Sequence, residues 1–444
     1  MTTAKRLLLS IFSSLVLLTP VNWHSAFGQA EGPDVHLDND TGTRSSEGQF
    51  LAETTRTRKA SPQKNSPASK KPSAAPAPNK DSLEAQAPDE TPKTVDSFRD
   101  GWRTFLQNPC HTGVAAIVPP TPPTGKKFWS FPAEGGVDSS PTAYKGIIYV
   151  GCDDNYVYAI DEHTGHQIWR SKLGDKVKST ASVADGYIVI GCEDKKLYKL
   201  DATSGKILWT FAAQDRLSAS PVVVEGYVYV GSWDGNLYKL DAASGNVIWK
   251  FQTGAYVMST PAVLPSMVIV SSHSGFIYAL SPQDGSVKWE MKAGGKIYSS
   301  PLVMNGTVYF GSWDKYFYAL DLATGKPKWR FAASDYFTMS PVGDKGRVFI
   351  GNDEKKMYCL DAASGKVLWR RDIVCNSPML ASSPAICGSL ILFGSTDANL
   401  YALDTRNGAI KWKYKTQRAI VSSPAVSKYG VCVGSQDGNL YMIN

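Results

Sequence analysis

The sequence predicts an all-β fold of eight four-stranded blades closed into a ring, a β-propeller, and three observations carry this. Seven tryptophans, Trp129, Trp169, Trp209, Trp249, Trp289, Trp329 and Trp369, follow one another at forty-residue intervals, and an eighth, Trp412, comes forty-three residues later. A tyrosine keeps the same register at Tyr158, Tyr198, Tyr238, Tyr278, Tyr318, Tyr358, Tyr401 and Tyr441. Each unit also divides into short alternating runs separated by turn residues, the pattern of several strands per repeat. Repeats of about forty residues with this content stack as propeller blades.

The third unit shows the strands most plainly. Ser218–Val224 is strand A, and YVYVGS after Gly226 is strand B. The turn Asp234-Gly235 leads to strand C, NLYKLD, and the turn Ser244-Gly245 to strand D, NVIWKF. Asp241 and Gly245 recur together as Asp161/Gly165, Asp201/Gly205, Asp321/Gly325, Asp361/Gly365 and Asp404/Gly408. An Asp side chain bonds its own backbone in an Asx-turn, and Gly supplies the positive φ of a hairpin. The Trp just past that turn is expected to dock between neighbouring blades, its N–H reaching a backbone carbonyl. The last unit stops at Leu440–Asn444, where strand C ends, whereas Thr124–Phe131 is a strand D with no A, B or C before it. The N-terminal strand is therefore expected to complete the last blade, which removes the open sheet edges. One propeller over 124–444 follows, a size that stacked repeats reach through nearest-neighbour contacts.

Residues 1–30 read as an export signal. Lys5 and Arg6 precede the apolar run Leu7–Leu18, and Gly28-Gln29-Ala30 offers small residues for cleavage. That run is too short for a bilayer core of about 30 Å, so no transmembrane segment is expected after signal removal. The first cysteine is Cys110, so a lipid anchor near the cleavage site is not expected. Residues 31–95, rich in Pro, Ala, Ser and Lys with balanced charge, read as a disordered tether. Residues 96–123, with Trp102, Phe105 and the lone His111, read as a lead-in that packs on the propeller. The expected location is the periplasm or cell envelope.

The repeat resembles the quinoprotein-type, PQQ-like propeller repeat. Its docking motif A-x-D-x-x-x-G-K-x-x-W stands here as AIDEHTGHQIW, KLDATSGKILW, ALDLATGKPKW and CLDAASGKVLW. WRTFLQNPCHTG is similar to the entry segment of many such envelope proteins, and the resemblance covers Ser97 to Asn444. It implies one of two branches: PQQ-dependent alcohol and sugar dehydrogenases, or non-enzymatic propellers such as the outer-membrane assembly factor BamB. In the first branch the resemblance implies a quinone beneath a disulfide of adjacent cysteines, with a calcium ion and a catalytic Asp. Here the seven cysteines stand at 110, 152, 192, 359, 375, 387 and 432, none adjacent, and six successive forty-residue intervals leave no room for pocket-building insertions. A cofactor that does the hard chemistry needs a cradle, so neither PQQ nor Ca²⁺ nor any catalytic residue is expected. There is no Gly-rich phosphate loop after a strand, no His pair at metal spacing and no C-x-x-C. Asp153-Asp154-Asn155 and Asn352-Asp353-Glu354 align with Trp233-Asp234-Gly235 and Gln436-Asp437-Gly438, and so read as hairpin turns rather than calcium loops.

With antiparallel strands, the B–C turns and D–A connections open onto one face. An apolar anchor stands eight residues after most tryptophans: Val137, Val177, Leu217, Val257, Ile297, Phe337 and, in the last unit, Ile420. The residue before it varies as Gly136, Lys176, Arg216, Tyr256, Lys296, Tyr336 and Ala419, which is how a rigid scaffold presents side chains. Trp233, His273 and Trp313, on the B–C turns of units three to five, are expected near Tyr256, Tyr298, Tyr336 and Phe337, flanked by Lys176, Arg216 and Lys296. Trp, Tyr and Arg are the usual interface anchors. The opposing reading, that both tryptophans fold over their own blades as packing, stays open. The seventh unit carries three extra residues within Arg370–Pro384, a functional surface or neutral loop drift. In the fourth unit Ser281 replaces the turn Asp and Ser271 the strand-B Gly.

A formal charge of +7 over 444 residues favours neither nucleic acid nor an anionic membrane. Seven cysteines leave at least one unpaired, and most are expected as buried thiols. The sequence thus points to a monomeric, non-catalytic envelope scaffold that binds a protein partner and no nucleic acid. The competing classes are a PQQ-dependent oxidoreductase, told apart by reconstitution with PQQ and Ca²⁺, and a sensor or carbohydrate-binding propeller.

Overall fold

The computed structural model describes residues 101–373 and 382–444. The export signal, the tether, the start of the lead-in, Cys375 and most of the seventh unit's insertion lie outside the described residues. The first strands are β1 (Gly101–Trp102), β2 (Lys127–Pro132), β3 (Thr142–Tyr144), β4 (Ile147–Gly151), β5 (Tyr156–Asp161) and β6 (Gln167–Lys172). β3 to β6 are strands A to D of the first blade, and β1 adds a fifth strand beside β3. The third blade repeats the meander as Val222–Val224, Tyr227–Gly231, Asn236–Asp241 and Val247–Gln252. Among the described residues the strands form eight antiparallel sheets, with no helix. Strands B and C, with runs such as IIYVG and YVYAID, are buried nearly throughout because each sheet is covered by a blade on both sides. Strand D alternates, as an outer edge strand should, with its Trp turned inward.

Closure follows the expected clasp. β2 pairs with Asn439–Ile443 of the last unit, Trp129 opposite Met442, and so supplies strand D to the three strands at the C-terminus. Each blade is locked to the next by its tryptophan. The indole N–H donates to a carbonyl in the following blade: Trp129 to Glu162 at 3.1 Å, Trp169 to Ala202 at 3.0 Å, Trp209 to Ala242 at 3.1 Å and Trp249 to Pro282 at 3.2 Å. Trp289, Trp329 and Trp369 do the same to Leu322, Ala362 and Thr405 at 2.8, 3.0 and 3.0 Å. Trp412 spans the chain seam and donates to Pro123. The indole lies over the turn glycine of the next blade, where a Cβ on Gly165 would stand 2.7 Å from the Trp129 ring. That glycine is required twice, for its φ of 72° and for the ring above it.

A second inter-blade ring lies on strand A. Backbone amides donate to the hydroxyl of the next blade, from Thr260 to Ser300, Ser300 to Ser340, Ser340 to Ser383, Ser383 to Ser423 and Ser423 to Ser140, all at 2.9 or 3.0 Å. One residue earlier, Ser139, Ser179, Ser382 and Ser422 accept from the strand-B glycine amides.

The lead-in follows the innermost strands blade by blade. Trp102 pairs with Ala143, and the Arg103 carbonyl accepts from Val183 N. The carbonyls of Pro109, Cys110, Thr112 and Gly113 then accept from Val263, Val303, Gly343 and Ile386. His111 in this segment is fully buried, its Nδ1 2.9 Å from the Pro301 carbonyl, and burial pushes its pKa down to about 4. The six described cysteines are buried thiols. Cys152 and Cys192 stand where other units carry Ser232, Ser272 or Ser312, and burial pushes both up to about 12.

Candidate functional site: the loop face

The loops of this face are held by one device repeated. In the B–C turn of the third blade, Asp234 accepts from Gln214 N at 3.0 Å, Asn236 N at 2.9 Å and the Tyr238 hydroxyl at 2.7 Å. Asp314 does the same with Gly294 N, Tyr316 N and Tyr318. In six units the recurring tyrosine, whose role the sequence alone did not disclose, holds the turn Asp in this way, while Tyr278 of the fourth donates instead to the Thr253 carbonyl. The turn residue before that Asp donates its amide to the carbonyl just before the apolar anchor. Trp233 N reaches Arg216 O at 3.0 Å, His273 N reaches Tyr256 O at 3.0 Å, and Trp313 N reaches Lys296 O at 2.9 Å. Since the anchors are at most 1% exposed, the side chains of turn and connection are set side by side on a rigid base.

Six of the expected aromatic residues meet there in an unbroken run. Trp233 stacks on Tyr256 with centroids 5.1 Å apart, and Tyr256 lies 5.8 Å from His273. His273 lies 4.0 Å from Tyr298, Tyr298 stacks on Trp313 at 4.6 Å, and Trp313 on Tyr336 at 5.1 Å. Cations stand over the rings: Arg216 over Trp233 at 5.4 Å, Lys296 over Trp313 at 5.9 Å and Lys315 over Tyr336 at 5.5 Å. The rings pack, but on rings of the adjoining connections rather than over their own blades, and exposure grows from 8% at Trp233 to 39% at Tyr336. His273 is neutral within the run, since burial and then the nearby Lys296 charge push its pKa down to about 4.

Two expected members stand elsewhere. Phe337 is fully buried beneath the face, against Phe317, Phe331 and Tyr358. It occupies the anchor position, whose side chain must turn inward to hold the loop. Lys176 does not flank the aromatic run. Its ammonium lies 3.3 Å from Asp153 in the adjoining part of the face.

That part, on the first two blades, is built of charges. Lys178 lies 3.4 Å from Asp138 and 3.9 Å from Asp153. Glu193 is nearby, and burial raises its pKa against the opposing pull of Lys178 and Arg216. At the far end of the aromatic run, Asp353 accepts from the Thr338 hydroxyl at 2.8 Å, and burial pushes it up to about 7. Eight buried polar atoms without a hydrogen-bond partner gather on this face: Asp138 Oδ1, Asp153 Oδ1, Ser218 Oγ, Trp233 Nε1, His273 Nε2, Trp313 Nε1, Asn352 Nδ2 and Asp353 Oδ1. Such atoms cost about 1–3 kcal/mol each wherever neither protein nor water pairs them.

Two family models match the chain. Residues 109–307 match the β-propeller of the beta-alanine-activating enzyme, and residues 336–444 match the outer membrane protein assembly factor BamB. No curated protein is a significant match. Among solved structures, BamB from Moraxella catarrhalis is similar at 19% identity and a TM-score of 0.64, over 72% of this chain and 99% of that one. A europium-containing methanol dehydrogenase is similar at 15% identity and a TM-score of 0.66, over 77% of this chain and 91% of that one. A quinohemoprotein alcohol dehydrogenase from Comamonas testosteroni reaches 16% identity and a TM-score of 0.64, over 78% of this chain and 80% of that one. At these identities the likeness is one of fold, shared by binding proteins and enzymes alike. The forty-residue repeat, the ring of eight blades and these matches agree on the fold, an eight-bladed β-propeller similar to the PQQ-like propellers.

Proposed function

We propose that the chain is a non-catalytic binding scaffold of the cell envelope that presents the aromatic part of its loop face to a protein partner. The observation that carries this is the run of six rings from Trp233 to Tyr336, set on anchored loops and bordered by Arg216, Lys296 and Lys315. Aromatic and Arg side chains on a rigid base are what interface hot spots are made of. The expected export signal and the match to an outer membrane assembly factor agree with an envelope setting.

The residues present do not suit PQQ with Ca²⁺. Asp138 and Asp153 are engaged by Lys178, no two cysteines are adjacent, and no three His, Cys, Asp or Glu side chains converge among the described residues. The test is capture of envelope proteins by the tagged mature chain, compared with its Trp233→Ala/Trp313→Ala variant. Loss of specific capture by a variant that still melts cooperatively is the expected result; undiminished capture overturns the reading. Titration with PQQ and Ca²⁺ in a dye-linked alcohol oxidation assay is expected to give no turnover, and saturable turnover would make the chain an enzyme.

A further inference from the structure

Cations on the two parts of the loop face are handled differently. Lys176 and Lys178 are paired with Asp138 and Asp153. Arg216, Lys296 and Lys315 are exposed and form no ion pair among the described residues, although each stands over a ring of the aromatic run. The turn carboxylates Asp234 and Asp314 are already engaged, each by two amides and a tyrosine hydroxyl. Three cations without an ion-pair partner among the described residues stand along one aromatic wall and give it a positive field, offset at the Arg216 end by the pull of Glu193. Such a field selects an anionic partner through complementarity.

The ring geometry narrows the class. Trp233/Tyr256, Tyr298/Trp313 and Trp313/Tyr336 are stacked within 26° of parallel. Their faces are turned to one another, and the wall shows mostly ring edges. Nucleic-acid bases and sugar rings need open aromatic faces to stack on, whereas aliphatic side chains of a peptide pack well against edges.

We infer that the segment docking here is an acidic, extended peptide, with Asp or Glu residues spaced among apolar ones. Its carboxylates are read by Arg216, Lys296 and Lys315, and its apolar side chains rest on the edges of Trp233, Trp313 and Tyr336. The inference rests on the reading of this face as a protein-docking surface and gives the partner its chemistry.

The experiment uses the full mature chain and a fluorescein-labelled peptide of Glu-Pro-Leu repeats, followed by fluorescence anisotropy. A Lys-Pro-Leu peptide, a polygalacturonate oligomer and an oligothymidylate serve as comparisons. The Glu peptide is expected to bind with an affinity that falls as salt rises. Binding is expected to drop about tenfold or more in the R216Q/K296Q/K315Q variant and to stay unchanged in K176Q. Equal binding of the Lys peptide, or full binding by the triple variant, overturns the inference. Tighter binding of polygalacturonate or oligothymidylate overturns the peptide class in favour of an acidic glycan or a nucleic acid. Envelope capture separates the two levels. A triple variant that keeps the partner lost by Trp233→Ala/Trp313→Ala removes the charge inference and leaves the docking face; if both variants keep the partner, the docking face itself fails.

Discussion

The first two blades and the third to sixth share one loop backbone and do opposite things with it. Glu193 N donates to Lys176 O at 3.0 Å, and Trp233 N to Arg216 O at the same distance. Yet in the first part the side chains close on one another, Lys178 between Asp138 and Asp153, while in the second they form a wall of rings with unmatched cations. A repeat scaffold fixes positions and leaves chemistry to a few side chains per blade. One part of the face pairs its cations internally; the other leaves them to the docking we propose. The sharpest way to break this comparison is to truncate each part in turn. Two hot-spot aromatics at about 2 kcal/mol each predict a loss of roughly a thousandfold in partner affinity for Trp233→Ala/Trp313→Ala. Lys176→Ala/Lys178→Ala is expected to leave affinity within about threefold. Similar losses in surface plasmon resonance would erase the distinction.

The aromatic part also holds two groups whose protonation opposes each other, which sharpens the contrast through pH. Asp353 is pushed up to about 7 by burial. Its neutral form is favoured by folding, so its contribution is full below the ordinary Asp range and is lost as pH rises towards 7. His273 is pushed down to about 4. Its neutral form is favoured, so its contribution is full above the ordinary His value and is lost as pH falls towards 4. Each slope is about 1.4 kcal/mol per pH unit, and between pH 4 and 6.5 they nearly cancel. His111, buried in the lead-in and likewise pushed down to about 4, adds a slope of its own, so relative to the wild type His273→Gln should tilt stability downward with rising pH across that window, and Asp353→Asn should tilt it downward with falling pH. Urea midpoints at a series of pH values give the answer; two variants with the same slope as the wild type would show that neither group is held as described.

How much of this was legible follows from what repeats. The docking tryptophans, the Asp–Gly turns and the closing strand recur in the chain, and their physical roles could be read from period and turn chemistry. The tyrosine recurred as clearly, but its hydroxyl finds Asp234 or Asp314 only once strand C folds back over the turn. The serine ring left a signal in the recurring Ser-Ser-Pro and Ser-Thr-Pro of strand A, as at Ser139-Ser140-Pro141 and Ser259-Thr260-Pro261. It reads as strand polarity until neighbouring blades are placed. The aromatic residues could be assigned to one face because both loop types open there. Which way each side chain turns could not: Phe337 and Tyr336 are adjacent, and only the anchoring of the connection sends one into the core and the other to solvent. Lys176 and Arg216 hold equivalent positions. Their divergence depends on the B–C turns around them: Lys176 finds Asp153 on the preceding turn, whereas Arg216 stands over Trp233 on the following one.

That divergence gives the smallest and most discriminating test, removal of one cation from each part. Lys178→Met takes the ion-pair partner from half-buried Asp138 and one of two from Asp153, which keeps Lys176, and leaves the two carboxylates as like-charged neighbours. Breaking such a pair from one side leaves an uncompensated charge, and a loss of about 1–3 kcal/mol in urea unfolding is expected. Arg216→Gln removes a charge that holds no carboxylate, so stability should stay within about 0.5 kcal/mol. Binding should show the reverse order, with the acidic peptide weakened by Arg216→Gln and unaffected by Lys178→Met. If Arg216→Gln destabilises the fold as much as Lys178→Met does, Arg216 belongs to the architecture of its blade. The two parts of the face would then differ in composition alone.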